Sequence, residues 1–321
     1  MRKITKTLLG IGGAFCLIGA LLFIIGFTSG GTKYVHATNL NSMNAQEDSK
    51  ESANRFTLKK TEIPDFTSLN INLEDSDLNI EESPNEKSYI EYVQATKDKK
   101  NPLSYSIENG TLTLKEAGNT GASYYINVDI SFLQAALSSK NIEDYTKESS
   151  KYENYVTLYL PKDKLVSSAK IYLGYGDFYV KNAAFDTINI KLDDGDFDAN
   201  TLTANSGKLT FSYGDCDLQK ASLGNISLTS KDGDLTVDEL TLSGKTKIAL
   251  SYGDAEITLN DSTKKVSGFD LATHYGTITA SGLNGNKTVD EDDDVNTFQS
   301  NSKDGNTKLA IDSKDGDITL K

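Results

Sequence analysis

Apolar and polar residues fall into fixed columns along most of this chain, set by a recurring tripeptide with Gly at its centre. The copies are Tyr175-Gly176-Asp177, Asp194-Gly195-Asp196, Tyr213-Gly214-Asp215, Asp232-Gly233-Asp234, Tyr252-Gly253-Asp254 and Asp315-Gly316-Asp317, with a weaker one at Tyr275-Gly276-Thr277. From Gly to Gly the steps are 19, 19, 19, 20, 23 and 40 residues, and the last reads as two steps with one copy blurred by an insertion. Five positions before each Gly stand Ile171, Ile190, Leu209, Leu228, Ile248, Leu271 and Ile311. Two positions after stand Phe178, Phe197, Cys216, Leu235, Ala255, Ile278 and Ile318, and four after stand Val180, Ala199, Leu218, Val237, Ile257, Ala280 and Leu320. Seven after, Ala183, Leu202, Ala221, Leu240 and Leu283 are interrupted by Asn260.

The columns before and after Gly have opposite parity, so the chain must bend at Gly to turn both sets inward. Two short strands joined at a Gly-Asp corner, then a second turn rich in Asn, Ser and Gly, make one coil. Stacked coils about 4.8 Å apart would form ladders of like apolar side chains. This period predicts an all-β architecture, a β-solenoid spanning residues 56–321. Weaker corners extend it toward the N-terminus: Ser76 with Ile71, Leu73, Leu78 and Ile80, and Gly110 with Tyr105, Ile107, Leu112 and Leu114. An insertion at about 117–154, partly helical at Ile130–Lys140, breaks the period and is expected to pack on the solenoid. Tyr155–Leu160 returns as a strand stopped by Pro161. A second break, 284–304, holds five adjacent acids from Asp290 to Asp294, which read as a solvated loop.

Ahead of the repeat, Arg2, Lys3 and Lys6 precede an uncharged, mostly apolar run from Leu8 to Phe27. Such a run reaches about 30 Å as a helix, enough to cross a bilayer core. Residues 1–32 are therefore expected to anchor the chain in a single pass, with the N-terminus cytoplasmic and the bulk outside. Secretion after cleavage near Ala37 is the alternative. Phe15 before Cys16 is not the small residue that a lipoprotein signal requires. Residues 33–55, Ser-, Asn-, Thr- and Glu-rich, read as a disordered linker.

Charge and composition narrow the chemistry. With 46 Asp+Glu against 33 Lys+Arg the formal net charge is −13, which argues against nucleic acid as a partner. Two Cys and two His poorly supply a zinc cluster, a disulfide framework or His-dependent catalysis.

The basic start, the apolar run ending in Phe-Thr-Ser-Gly-Gly, the strand-Pro-Lys element Tyr155–Lys162 and the Gly-Asp-flanked strand pairs together resemble the adhesin-like DUF4097 family. The resemblance implies a β-solenoid at the surface of Gram-positive bacteria, tied to cell-envelope stress, and it carries no catalytic residues. The long insertion at 117–154 departs from a typical member.

Two corner columns are candidates for function. Asp177, Asp196, Asp215, Asp234, Asp254 and Asp317 would align along one edge, where each unrelieved neighbouring pair would cost roughly 1 kcal/mol. Asp side chains that bond nearby backbone, calcium bridges, or an acidic groove acting on polysaccharide would each account for such a column. Before Gly, tyrosines and aspartates alternate, which either relieves charge repulsion or presents Tyr175, Tyr213, Tyr252 and Tyr275 as a strip that stacks on sugar rings or docks a partner.

Other motifs are thinner. Ser167–Lys170, Ser262–Lys265 and Ser300–Lys303 lack the partners of a penicillin-binding site. Gly244-Lys245-Thr246 has Glu239 where a phosphate loop needs its first Gly. His274 reads as a turn residue and Cys216 as a buried thiol. No catalytic, metal or cofactor residue is assigned. The chain is expected to be a non-enzymatic binding or scaffold module of the cell envelope, meeting a protein or polysaccharide partner. A calcium-dependent or polysaccharide-acting domain, or the sensor subunit of an envelope-stress complex, are the alternatives.

Overall fold

A computed structural model describes residues 54–96, 99–117, 154–290 and 294–321. The expected anchor, the linker up to residue 53 and most of the insertion lie outside the described residues. Among the described residues no helix is long and apolar enough to cross a membrane.

Among the described residues the domain is all-β: 21 strands in hydrogen-bonded register and one short helix. Rungs stack in parallel, and like columns meet. Ile190 lies opposite both Ile171 and Leu209, and Leu209 opposite Leu228. After the corner, Phe197 lies between Phe178 and Cys216, and Val237 between Leu218 and Ile257. All these residues are buried in one continuous core. The Phe178 and Phe197 rings stack with centroids 5.0 Å apart, and Phe211 packs on Phe197 at 5.9 Å. Burying such side chains stabilises by about 1.5–3 kcal/mol each, so the ladder of apolar columns is the main source of stability.

The second turn expected in each coil is absent from two of them: Phe197–Phe211 and Cys216–Asp232 run as unbroken strands from one corner to the next, whereas Lys181–Asn182 and Ser243–Gly244 interrupt the coils on either side. Bends replace it. In Phe197–Phe211 the buried residues are Phe197 and Ala199, then Leu202 and Ala204, then Leu209 and Phe211, so the inward parity shifts twice. Gly207 makes the second shift possible: its φ is 144°, and a Cβ there would lie 1.8 Å from the Ile188 carbonyl oxygen.

Rung order departs from chain order at both ends. Lys308–Asp315 pairs with Lys245–Tyr252 on one side and with Gly268–Tyr275 on the other. Ile318–Leu320 likewise lies between Ala255–Leu259 and Ile278–Ala280. The chain thus leaves a gap after the Gly253 rung, builds the Gly276 rung beyond it, and returns to fill the gap. No blurred copy exists, and the 40-residue step is a return. Residues 284–304 contain an antiparallel hairpin, Asn286–Asp290 with Val295–Ser300, whose second strand covers the open edge of Gly268–Tyr275. Asp290, the first of the five acids, ends the first strand of this hairpin.

At the N-terminal end, Ser68–Leu73 lies between Thr111–Glu116 and Leu165–Tyr175, and Asp77–Glu82 between Tyr155–Leu160 and Phe178–Val180. Ser76 is a true corner. Gly110 is not: Asn109 and Gly110, at φ 50° and 72°, form the tight turn of an antiparallel hairpin between Leu103–Glu108 and Thr111–Glu116. This is the preferred sequence and geometry for a two-residue hairpin. Leu112 and Leu114 therefore align with Leu69 and Ile71, on the strand before the corner rather than after it. Ser88–Thr96 caps the other edge by antiparallel pairing onto Tyr155–Leu160, and Asn54–Ile63 pairs antiparallel with Ser88–Thr96 in turn.

Asn260, which broke the column at seven after Gly, caps the helix Asp261–Val266 by accepting from the Thr263 N–H at 2.8 Å. Thr263 is buried and accepts in turn from the Leu242 N–H at 3.1 Å.

Candidate functional site

The corners form one edge of the stack. In each, Gly is required by its neighbours: a Cβ on Gly214 or Gly233 would lie 2.2 or 2.0 Å from the carbonyl oxygen of the Gly in the rung below. This close approach brings the Asp after each Gly within bonding range of the next. Asp77 Oδ1 accepts from the Asp177 N–H, Asp177 from Asp196, Asp196 from Asp215, Asp215 from Asp234, Asp234 from Asp254, Asp254 from Asp317, and Asp317 from Thr277. The seven distances run from 2.7 to 2.9 Å. A charged acceptor on a backbone N–H makes one of the stronger protein hydrogen bonds. The aspartate column is thus a structural ladder, and one oxygen of each carboxylate is already committed to it.

Charge still accumulates beside the ladder. Burial, and then the carboxylates of Asp217, Asp196, Asp177 and Asp215, push the Asp198 carboxyl above its usual range. Among the described residues no cluster of His, Cys, Asp or Glu has the geometry to hold a metal ion.

At the N-terminal end a different carboxylate closes the corner. Glu116 Oε2 accepts from the N–H groups of Glu74 and Asp75 at 2.8 and 3.1 Å, and Oε1 from the Ser76 hydroxyl at 3.0 Å. Gln94 Nε2 donates to Ser76 Oγ at 2.9 Å. Burial pushes the Glu116 carboxyl up, against the pull of the backbone donors.

Before the Gly, in spatial order, stand Asp75, Tyr175, Asp194, Tyr213, Asp232, Tyr252, Asp315 and Tyr275. The alternation is complete only because the returning rung puts Asp315 between Tyr252 and Tyr275. The four tyrosines are 57–65% exposed, so their rings are not part of the core. They stand on every second rung, about 9.6 Å apart.

The sheet face leading into the corners has the opposite charge. Six positions before alternate glycines lie Lys170, Lys208 and Lys247, with Asn189 and Ser227 on the rungs between. All five are exposed. Lys170 and Lys208 line a shallow groove of about 540 Å³ together with Tyr172, Asn189, Lys191 and Thr210. Asp193 fixes part of this groove. It accepts from the Tyr172 hydroxyl at 3.0 Å and pairs with Lys191 at 2.7 Å, and the Lys191 ammonium sits 4.9 Å from the Tyr172 ring centre. Burial, then Asp193, push the Tyr172 hydroxyl up to about 12. The lysine column was not read from the sequence, although its signal was available as a Lys six residues before Gly176, Gly214 and Gly253.

The remaining motifs do not assemble. Ser262 and Lys265 lie on the capped helix, Ser167 and Lys170 fall on one strand at opposite parity, and Ser300 ends the capping hairpin while Lys303 lies beyond it. Lys245 is exposed on a strand edge behind Gly244. His274 is exposed near the edge, and Cys216 is a free, buried thiol whose titration burial pushes far up.

Fold and edge together define an all-β protein of parallel rungs with glycine corners and antiparallel caps. The family model Toastrack DUF4097 matches residues 66–321, and the chain belongs to that family. No curated protein matches it. Among solved structures it is similar to a “putative adhesin” from Bacteroides fragilis NCTC 9343, at 10% identity over 84% of this chain and 99% of the other, with a TM-score of 0.39. A “putative cell adhesion protein” from Clostridium sporogenes ATCC 15579 matches at 12% identity over 82% and 99%, with a TM-score of 0.29. A “putative lipid binding protein” from Parabacteroides distasonis ATCC 8503 matches at 12% identity over 84% and 97%, with a TM-score of 0.36.

Proposed function

We propose that this chain is a non-enzymatic binding module of the bacterial cell envelope, a β-solenoid held outside the membrane by residues 1–32 and set off from it by the linker 33–55. The corner edge is its contact surface. The observation that carries this reading is the placement of Tyr175, Tyr213, Tyr252 and Tyr275 on alternate rungs with their rings exposed, separated by aspartates. Exposed tyrosines supply apolar area at low entropic cost, and carboxylates between them accept hydrogen bonds from hydroxyl groups. That combination suits the alternating ring faces and hydroxyls of an envelope polysaccharide. The tether rests on the Leu8–Phe27 run and the basic residues ahead of it.

The test is sedimentation of the protein with purified cell envelopes. Tyr213→Ser combined with Tyr252→Ser should lower the bound fraction at least about five-fold without changing the melting temperature, since exposed side chains carry little folding energy. Undiminished binding would remove the edge as the contact surface.

A further inference from the structure

The sheet face with the lysine column provides a second surface, distinct from the tyrosine edge and of opposite charge. From the Gly176 rung to the Gly253 rung, the outward positions of the segments that lead into the corners hold Lys170, Lys191, Lys208, Lys231, Lys245 and Lys247 against two carboxylates, Asp186 and Asp193, short of the corner aspartates themselves. In a chain with a net charge of −13 this is a marked segregation. Asp193 is already paired with Lys191. Lys170, Lys208 and Lys247 form no ion pair among the described residues. Three unneutralised ammonium groups in one column repel each other mildly in water and gain from any anion that bridges them.

The spacing specifies the ligand. Lys170, Lys208 and Lys247 recur on every second rung, about 9.6 Å apart along the stacking axis. The rungs between place Asn189 and Ser227 in the same column, neutral groups able to donate to and accept from hydroxyls. A partner that matches is linear and extended, bears one anionic group per roughly 10 Å of backbone, and is hydroxyl-rich between its charges. A polymer with charges much more closely spaced would leave most of its anions without a lysine. The groove between Lys170 and Lys208 adds an aromatic wall, because Asp193 locks the Tyr172 hydroxyl and so orients its ring. We infer that this face binds a linear acidic polysaccharide with one carboxylate per disaccharide, laid along the stacking axis over Lys170, Lys208 and Lys247.

The experiment uses the full chain in detergent, titrated with hyaluronan as a probe carrying one carboxylate per disaccharide. Dextran, polyphosphate and anionic phosphatidylglycerol vesicles serve as comparison ligands. Hyaluronan should bind with an affinity that falls as salt is raised. The variant Lys170→Gln/Lys208→Gln/Lys247→Gln should lose about ten-fold, whereas Lys191→Gln, already paired with Asp193, should lose about two-fold or less. Tyr213→Ser/Tyr252→Ser should bind hyaluronan unchanged, which separates this surface from the tyrosine edge. Equal binding by the triple variant with an unchanged melting temperature would overturn the inference. So would equal binding of dextran, or retention of polyphosphate or vesicles but not of hyaluronan.

Discussion

The Asp317 N–H donates to Asp254 Oδ1 at 2.7 Å across 63 residues of chain, while its own carboxylate accepts from the Thr277 N–H at 2.8 Å. One residue of the last rung thus joins two rungs that are consecutive in sequence but not in space. Without Lys308–Asp315 and Ile318–Leu320, the backbone ladders of the Gly253 and Gly276 rungs would each lose a partner. Truncation after Gly305 should therefore abolish hydrogen-exchange protection of the Gly268 amide, which donates to the Thr307 carbonyl oxygen at 2.9 Å, while sparing Phe197–Phe211. Unchanged protection of the Gly268 amide would contradict that arrangement.

The aspartate ladder makes a chemical distinction. Asp215→Ala removes the acceptor for the Asp234 N–H and should cost about 1–2 kcal/mol in denaturant unfolding. Asp215→Asn keeps a carbonyl oxygen in place and should cost less than half as much. If the two variants were equally destabilised, charge rather than hydrogen bonding would hold the corner. A melting midpoint indifferent to calcium or a chelator is the companion result, because the ladder needs no cation.

Glycine corners should tolerate no side chain. A Cβ on Gly233 would lie 2.0 Å from the Gly214 carbonyl oxygen at a φ of 130°, so Gly233→Ala should cost upward of about 3 kcal/mol. Gly282 also has a positive φ, 70°, but no atom lies within 4 Å of its Cβ position, and Gly282→Ala should cost only about 1 kcal/mol. Denaturant midpoints of the two variants provide the comparison.

Asp198 predicts a pH signature. Its folded-state pKa is raised from 3.8, by burial first and then by neighbouring carboxylates. The native state therefore holds this proton more tightly than the unfolded chain, and stability falls as pH rises from 3.8 through the folded value. Asp198→Asn should raise the melting temperature at neutral pH, with the gain closing as pH drops below 3.8 and shrinking in high salt. A gain independent of pH would rule out this cause.

Much of the architecture was legible because one period controls both burial and backbone. Ile171, Ile190, Leu209 and Leu228 could be aligned by counting from Gly, and they do lie side by side. Counting fails where spatial order departs from chain order, since composition does not record which rung the chain skips. A clue was present in the corner pattern: Tyr252 followed by Tyr275 violates the alternation, and only Asp315 between them restores it. Gly110 misled because Gly in a hairpin turn and Gly at a corner are both flanked by alternating apolar residues, and Asn109 before it was the distinguishing mark. The tyrosine edge was visible as a column. The lysine face was not, because its period is two rungs and only one strand parity carries it.

Disulfide trapping tests the returning rung most directly. Ala310 is the register partner of both Lys247 and Asp270, on opposite sides. Neighbouring parallel strands place such Cα atoms about 5 Å apart, within disulfide reach, while strands two rungs apart are about 9.6 Å distant and out of reach. Oxidation should cross-link Lys247→Cys with Ala310→Cys, and Asp270→Cys with Ala310→Cys, but not Lys247→Cys with Asp270→Cys. Efficient cross-linking of the Lys247 and Asp270 positions, with none to position 310, would show that the rungs follow chain order and that the last one does not lie between them.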